Sequence, residues 1–211
     1  MIKDFLKSLY DFFFPPLCFG CLKKTDGERI CFSCYQKIFS QPIIFKKNIR
    51  IYALGPYTIP FVNLINEFKY QNRIFIAQTL ALALSKIIIN DYYLKDCDFL
   101  VPVPLHPARL RERGYNQSEI LALEISQITN IPVLKCLKRI KYTKSQTVLD
   151  DKKRRINVKN VFAFDKNYSL ENKKIILIDD VVTTGSTLNN CAEVLYKNKA
   201  KEVFGLVVVK S

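Results

Sequence analysis

The stretch from Ile175 to Thr187 constrains the fold of this chain more than any other part of its sequence. Its first four residues, Ile175–Ile178, are aliphatic, which is typical of a strand buried in a parallel sheet. Two adjacent acids, Asp179 and Asp180, follow, and residues 188–199 have the spacing and composition of a helix. We therefore expect an α/β fold with the acid pair at the carboxyl edge of its sheet, where ligands bind in open α/β sheets.

A short turn rich in hydroxyl groups joins the acid pair to the predicted helix. The backbone N–H groups and the dipole of a helix N-terminus attract a phosphate group, and Gly185 allows close approach of the backbone. The two acids can accept hydrogen bonds from vicinal ribose hydroxyls or help to hold a divalent metal. The pattern predicts a cradle for a sugar phosphate that includes Val181, Thr183, Thr184, Gly185, Ser186 and Thr187.

The alternative is an ordinary strand–turn–helix unit in which hydroxyl side chains cap the helix. This alternative explains Ser186 and Thr187. It does not explain two carboxylates side by side at the end of an apolar strand, because such a pair repels itself and needs a ligand, a cation or water.

Four cysteines near the N-terminus form the second clear pattern, C-x2-C-x9-C-x2-C, at Cys18, Cys21, Cys31 and Cys34. Two such knuckles provide four thiolates for a tetrahedral structural zinc, with no open position for catalysis. Two disulfides or a redox-active CxxC are the alternatives, and a cytoplasmic location disfavours the disulfides. We predict a module of residues 1–45, with an amphipathic helix and this zinc finger, followed by a second domain of residues 46–211.

The chain has 33 basic and 19 acidic residues and a formal net charge of +14, which suggests a polyanionic partner. Residues 135–160 contain ten Lys or Arg and only two Asp. The sequence has no apolar run of the ~18 residues that a membrane-spanning helix requires, and residues 1–14 lack the cleavage site of a signal peptide. We expect a cytoplasmic protein without stable membrane insertion.

Further elements follow from apolar periodicity and turn residues. A polar, arginine-rich loop is expected after a strand at 98–104, where Arg109, Arg111 and Arg113 could bind phosphate oxygens or decorate a solvated loop. His106, the single histidine, would lie near the acid pair or serve a structural role. The predicted strands are 50–57, 98–104, 160–164 (which should rejoin the sheet) and 202–209, and the predicted helices are 60–70, 74–90 and 118–129.

These motifs together resemble a known family. The stretch 175–187 is similar to the phosphoribosyl-pyrophosphate (PRPP) signature of type I phosphoribosyltransferases. The four cysteines, Val101–Pro104, Arg113–Gln117 and this stretch, in this order, resemble the ComF family, which is implicated in bacterial DNA uptake during natural competence. The resemblance covers nearly the whole chain. It implies a zinc finger fused to a type I phosphoribosyltransferase domain with a parallel sheet flanked by helices.

The resemblance also implies roles for individual residues. Asp179 and Asp180 would hold the ribose hydroxyls and favour positive charge on the sugar, and the turn after them would bind the 5′-phosphate. Magnesium would offset the charge of the pyrophosphate, helped by Arg109 and Arg113. A mobile hood loop would close over the substrate; its matching residues are Tyr142, Thr143, Gln146 and Arg154.

The sequence leaves several functions open. The chain could transfer ribose 5-phosphate from PRPP to an unidentified nitrogen acceptor, or bind incoming single-stranded DNA with basic residues and stacking aromatics such as Tyr115 or Tyr142. It could also bind PRPP as a regulatory ligand without turnover. Thr183 stands where purine-salvage enzymes often have an acid near the base, so the acceptor is not identified. Proteins of the competence machinery are further candidate partners.

Overall fold

The computed structural model describes residues 15–70, 74–141 and 161–211. The hood positions Tyr142, Thr143, Gln146 and Arg154 lie outside the described residues, as does the segment 1–14. The strands are β1 (Ile43–Lys46), β2 (Arg50–Pro56), β3 (Phe99–Pro102), β4 (Leu137–Arg139), β5 (Phe162–Phe164), β6 (Lys174–Val182) and β7 (Glu202–Lys210). The helices are α1 (Phe32–Ile38), α2 (Phe61–Tyr70), α3 (Ile74–Asn90), α4 (Pro107–Arg113), α5 (Gln117–Thr129) and α6 (Ser186–Lys197).

Five strands form the main sheet in the order β1-β2-β7-β6-β3. The four strands β2, β7, β6 and β3 are parallel, and β1 is antiparallel to β2. Alternate side chains of β6 point to opposite faces: Ile176 and Ile178 pack with the helices α2, α3 and α5, and Ile175 and Leu177 pack with α6. All four are fully buried. The predicted α/β fold, in which residues 175–178 form a buried parallel strand, is therefore confirmed.

The predicted strand at 160–164 is the main correction to the fold. β5 does not rejoin the main sheet but pairs with β4 in a separate two-stranded sheet. The reason lies at β3, the edge strand, whose Leu100 exchanges backbone hydrogen bonds with Pro132 and Leu134. This segment occupies the outer edge of β3, so the ribbon of β4 and β5 packs instead against the α6 face of the core.

The arginine-rich segment after β3 is a helix, α4, and not the expected loop. His106 caps its N-terminus by accepting a hydrogen bond at Nδ1 from the backbone N–H of Ala108 (3.2 Å). Pro107 occupies the first turn, where its fixed φ suits a helix. Gly114 ends the helix in the left-handed conformation with φ of 79°. These three residues explain a short helix that the apolar periodicity of the sequence does not reveal.

The four-cysteine region packs against the helices on one face of the sheet. The side-chain N–H of Asn63 on α2 donates a hydrogen bond to the carbonyl of Gly20 (2.8 Å). The ring of Phe19 lies 5.2 Å from that of Phe75 on α3, and Arg29 lies over the same ring at 4.8 Å. The strand β1 crosses the boundary predicted after residue 45, so the main sheet begins within the predicted first module.

Among the described residues, no helix combines the length and the hydrophobicity that crossing a bilayer requires. The three cysteines outside the N-terminal cluster, Cys97, Cys136 and Cys191, are buried. Burial raises the pKa of Cys97 to about 12 and that of Cys136 to about 11, which keeps both thiols protonated at neutral pH. Cys191, on α6, is a fully buried small residue of the core.

Candidate functional site

The acid pair lies near the carboxyl end of the strand β6 and still within it, because the strand continues to Val182. The Ser118 hydroxyl, at the N-terminus of α5, donates a hydrogen bond to Asp179 Oδ1 (3.0 Å). The same oxygen accepts the backbone N–H of Asp180 at 3.0 Å. Asp180 in turn forms an ion pair with Lys69, the next-to-last residue of α2, at 2.9 Å between Nζ and Oδ2. Two helices therefore meet the acid pair, one through a hydroxyl and one through an ammonium.

The two acids have different electrostatic environments. Burial, followed by the negative charge of Asp180, raises the pKa of Asp179 to about 7. The hydrogen bonds from Ser118 and from the Asp180 amide act in the opposite direction, as does the charge of Lys69. Asp179 therefore titrates close to physiological pH, and its charge responds to any cation or donor that enters the site.

The turn that is predicted to bind phosphate leads into α6 through a left-handed glycine. Gly185 is the N-cap of α6 with φ of 80°, and it has no side chain to cap the helix. The hydroxyls of Thr184 and Ser186 form a hydrogen bond with each other (2.7 Å). Thr184 Oγ1 also accepts a long hydrogen bond from the backbone N–H of Ser186 (3.4 Å). Thr183, Thr184 and Ser186 are exposed. This end of α6 thus presents hydroxyl side chains to solvent. Phosphate binding at this position stays a prediction.

The basic residues predicted for the site divide between two elements. Arg113 donates a hydrogen bond from Nη1 to Gln117 Oε1 (3.2 Å), which ties the end of α4 to the start of α5. Arg109 lies close enough to Arg139 on β4 to influence its ionisation: burial, then the Arg109 charge, lower the pKa of Arg139, and Asp179 opposes them. The charges of Arg109 and Asp179 therefore both act on Arg139.

Two residues proposed for ligand contact serve the fold. His106 caps α4 through Nδ1, as described above. The Tyr115 hydroxyl donates a hydrogen bond to the carbonyl of Phe68, and the two rings are 6.4 Å apart. Tyr115 thereby fixes the end of α2 to the loop before α5, and its role as a stacking platform for DNA bases stays a prediction.

The side chains that contact the acids come from distant parts of the sequence. Asn116 caps α5 by accepting the Ser118 N–H at Oδ1 (3.1 Å), which leaves the Ser118 hydroxyl for Asp179. Lys69 had no motif that connected it to Asp180. Lys47, in the turn between β1 and β2, lies beside the phosphate loop, since a Cβ built on Gly185 would be 3.4 Å from its Cγ.

The four N-terminal cysteines form one cluster. Their sulfur atoms lie within 4.8 Å of one another, and Cys21 Sγ is 3.7 Å from Cys31 Sγ. The backbone N–H of Cys31 donates to Cys18 Sγ (3.2 Å), a hydrogen bond that stabilises a thiolate. A tetrahedral zinc with Zn–S bonds of about 2.3 Å places sulfurs roughly 3.8 Å apart, so the donor set has the chemistry and spacing to hold a metal ion.

Comparison with known proteins places this geometry in a family. Residues 116–210 match the model of the phosphoribosyl transferase domain. The chain is 35% identical over 204 residues to competence protein F of Haemophilus influenzae, with 89% of this chain and 87% of that protein covered. The chain belongs to the ComF family. Both the fold and the four-cysteine cluster agree with this membership.

Other members of the ComF family align over similar lengths. The DNA utilization protein YhgH of Escherichia coli is 30% identical, with 89% of this chain and 81% of that protein covered. Competence protein ComFC of Bacillus subtilis is 27% identical, with 92% of this chain and 78% of that protein covered. The ComF assignment therefore rests on alignments that cover most of the chain and most of each relative.

Proposed function

We propose that this protein binds PRPP together with Mg²⁺ at the carboxyl edge of its sheet and supports the uptake or cytoplasmic handling of transforming single-stranded DNA. The observation that carries the proposal is the acid pair at the end of β6, next to a helix whose N-cap is a left-handed glycine, which has no side chain to cap the helix. One end of this site attracts positive charge and hydroxyl donors, and the other attracts a phosphate. Ribose 5-phosphate has this distribution of groups.

Each end of PRPP has a set of side chains that suits it. The acids Asp179 and Asp180 accept the ribose hydroxyls, and the start of α6 binds the 5′-phosphate through backbone amides. Arg109 and Arg113 provide guanidinium donors for the pyrophosphate, with Arg139 close to the first of them. In this proposal His106 acts indirectly, by fixing the start of the helix that carries both arginines.

The carboxylate oxygens of the acid pair fit the preference of Mg²⁺ for hard oxygen ligands. Asp180 already has a cation as its partner, which indicates that the site favours positive charge. When bound, Mg²⁺ would neutralise part of the pyrophosphate charge. Zinc is the metal that we propose for the four-cysteine cluster, where it would have a structural role because all four ligands come from the protein.

Isothermal titration with PRPP and MgCl₂ tests the ligand. The wild-type protein should bind, and Asp179→Ala/Asp180→Ala should lose binding while remaining folded. Glu171→Ala is a matched control, because it removes an acid of an exposed ion pair with Lys199 on the surface. Absence of binding by the wild type, or undiminished binding by the double variant, would reject the proposal.

The role in DNA handling is supported by the net charge of +14 and by the names of the relatives, a competence protein and a DNA utilization protein. Direct binding should be measurable with fluorescent single-stranded DNA and should weaken steeply as salt rises. If no affinity is detected even at ~50 mM salt, DNA binding is not direct. Complementation of a deletion strain with the Asp179/Asp180 double variant then tests whether transformation depends on the site.

A second candidate function is transfer of ribose 5-phosphate to a nitrogen acceptor. It is favoured by the position of the two acids, since carboxylates beside the ribose stabilise the positive charge that develops when the pyrophosphate leaves. Release of pyrophosphate from PRPP in the presence of candidate bases would support it. PRPP binding without release would favour a regulatory ligand instead.

A further inference from the structure

The ion pair between Lys69 and Asp180 differs from most other ion pairs of the described residues. Its side chains are only 19% and 15% exposed, whereas those of Lys135 and Glu119 are 64% and 33% exposed. A half-buried pair is screened less by salt and costs more to desolvate than a surface pair. The position of this ion pair at the carboxyl edge of the sheet therefore needs an explanation that an ordinary surface ion pair does not need.

The charges around the acid pair are divided unequally. Asp179 is held by two neutral donors, the Ser118 hydroxyl and the Asp180 amide. Asp180 accepts the ammonium of Lys69. The Lys69 ammonium offsets the charge of Asp180, whereas Asp179 interacts with the charge of Arg139 on β4. A divalent cation would offset both charges, and it would approach the same Asp180 oxygen that Lys69 occupies.

The ammonium of Lys69 can leave Asp180 without a movement of the main chain. The end of α2 is fixed, because the Phe68 carbonyl accepts the Tyr115 hydroxyl. Asn63 on the same helix is bound to Gly20. The lysine side chain, however, is a flexible four-carbon stem with a single point charge at its end. A fixed helix with a movable ammonium is suited to an exchange of partners.

We propose that Lys69 is an internal counter-ion that occupies the cation position at Asp180 until a divalent cation arrives with PRPP, and that Lys69 and the divalent cation compete for this carboxylate. This inference rests on the proposed function for the identity of the ligand. Its consequence is an order of binding: a free divalent cation has to displace Lys69 unaided, whereas a cation that arrives with PRPP brings the phosphates that receive the released positive charge. Lys69 would thus keep the site from being loaded by the metal alone.

Binding of Mn²⁺ in the absence of PRPP tests the competition, because Mn²⁺ shares the oxygen preference of Mg²⁺ and is detected by electron paramagnetic resonance. Lys69→Met should bind Mn²⁺ about tenfold more tightly than the wild type, a coupling of ordinary size between two ligands of one site. Lys69→Arg, which retains the charge, should show no gain. In Lys69→Met/Asp180→Asn the gain should disappear.

Lys173→Met is the matched control. It removes an ion pair of the same length, 2.9 Å to Asp98, just before β3 and hence at the opposite edge of the sheet. Its Mn²⁺ affinity should equal that of the wild type. If Lys69→Met does not fold, Lys69→Gln replaces it and should gain Mn²⁺ affinity in the same direction.

Equal or weaker Mn²⁺ binding by a folded Lys69 variant would overturn the inference and leave Lys69 as a structural tie between α2 and β6. Failure of the proposed function gives a different result. In that case the wild type does not bind PRPP, while the gain in Mn²⁺ affinity in Lys69→Met still supports the competition at Asp180.

Discussion

The Ser118 hydroxyl donates a hydrogen bond to Asp179 Oδ1 at 3.0 Å, which connects the N-terminus of α5 to the end of β6. This bond stabilises the ionised form of a carboxyl whose pKa burial and the Asp180 charge raise to about 7. Asn116 makes it possible by capping α5 in place of Ser118. The ionisation of the acid pair is therefore tuned by a residue far from it in sequence.

Ser118→Ala should weaken binding of PRPP at pH 7 and restore much of it at higher pH. Without the donor, the pKa of Asp179 rises further and a smaller fraction is ionised at neutral pH. We expect a loss of several-fold, on the order of 1 kcal/mol for one hydrogen bond to a charged group. The measurement is a titration with PRPP and Mg²⁺ at pH 7 and at pH 8.5.

Ser85→Ala is the control for Ser118→Ala. Ser85, on α3, is also buried, but among the described residues its hydroxyl has no hydrogen-bond partner. Its removal should leave PRPP binding unchanged at both pH values. If Ser118→Ala binds PRPP as the wild type does at pH 7, the hydrogen bond does not govern the ionisation of Asp179.

Asp179→Asn should be more stable than the wild type without ligand, with an advantage that grows from about pH 4 to pH 7. The folded-state pKa of Asp179 is about 7 against an ordinary value of 3.8, so the folded state binds more protons than the unfolded state in this window. Stability of the wild type therefore falls as pH rises through it. Asparagine does not ionise and retains an Oδ1 acceptor for Ser118 and for the residue-180 amide.

Urea denaturation of both proteins at pH 4, 6 and 8 measures this difference, which should reach at least about 1 kcal/mol in the free energy of unfolding at pH 8. Asp165→Asn is a control of opposite sign. The hydrogen bond from Lys138 lowers the pKa of Asp165, so this variant should lose stability at neutral pH relative to acid. An Asp179→Asn protein that is no more stable than the wild type at pH 8 would contradict the raised pKa.

How far the sequence predicts this site depends on the distance between partners along the chain. The strand, the acid pair and the phosphate loop are contiguous, so apolar runs and turn residues suffice to locate them. Lys69 and Ser118 meet the acids only because α2 and α5 pack on one face of the sheet. No local pattern encodes that meeting. The α4 helix was missed for a different reason, because its ends are defined by a proline, a capping histidine and a glycine, and it has no buried face.

The cysteine cluster should hold one zinc ion per chain, measurable by elemental analysis of the purified protein. Cys34→Ser should reduce the zinc content and lower the thermal midpoint, because Cys34 is buried and its sulfur belongs to the cluster. Cys97→Ala, a buried cysteine outside the cluster, should retain full zinc content. Equal zinc content in Cys34→Ser and in the wild type would show that the cluster is not the metal site.

Gly20→Ala tests the contact between the cysteine cluster and the rest of the molecule. A Cβ at this position would lie 2.7 Å from the Pro60 Cβ and 3.0 Å from Cys34 Sγ, so either the cluster or the start of α2 has to shift. We expect a loss of stability of about 1–3 kcal/mol, the usual effect of overpacking. Denaturation followed by circular dichroism gives the value. A change below this range would mean that the cluster moves away without cost.

Gly185→Ala should reduce PRPP affinity by more than its effect on stability explains. With φ of 80°, Gly185 adopts a conformation that costs an alanine roughly 1–2 kcal/mol. The added methyl would also reach Lys47 Cγ at 3.4 Å, beside the amides that we assign to the 5′-phosphate.

Gly27→Ala provides the comparison, because Gly27 has φ of 107° but no atom of the described part of the chain within 4 Å of the added Cβ. Both variants should lose similar stability, and only Gly185→Ala should lose PRPP affinity, by about tenfold or more, since the backbone can no longer approach the phosphate closely. Equal PRPP affinity in the two variants would remove the start of α6 from the binding site.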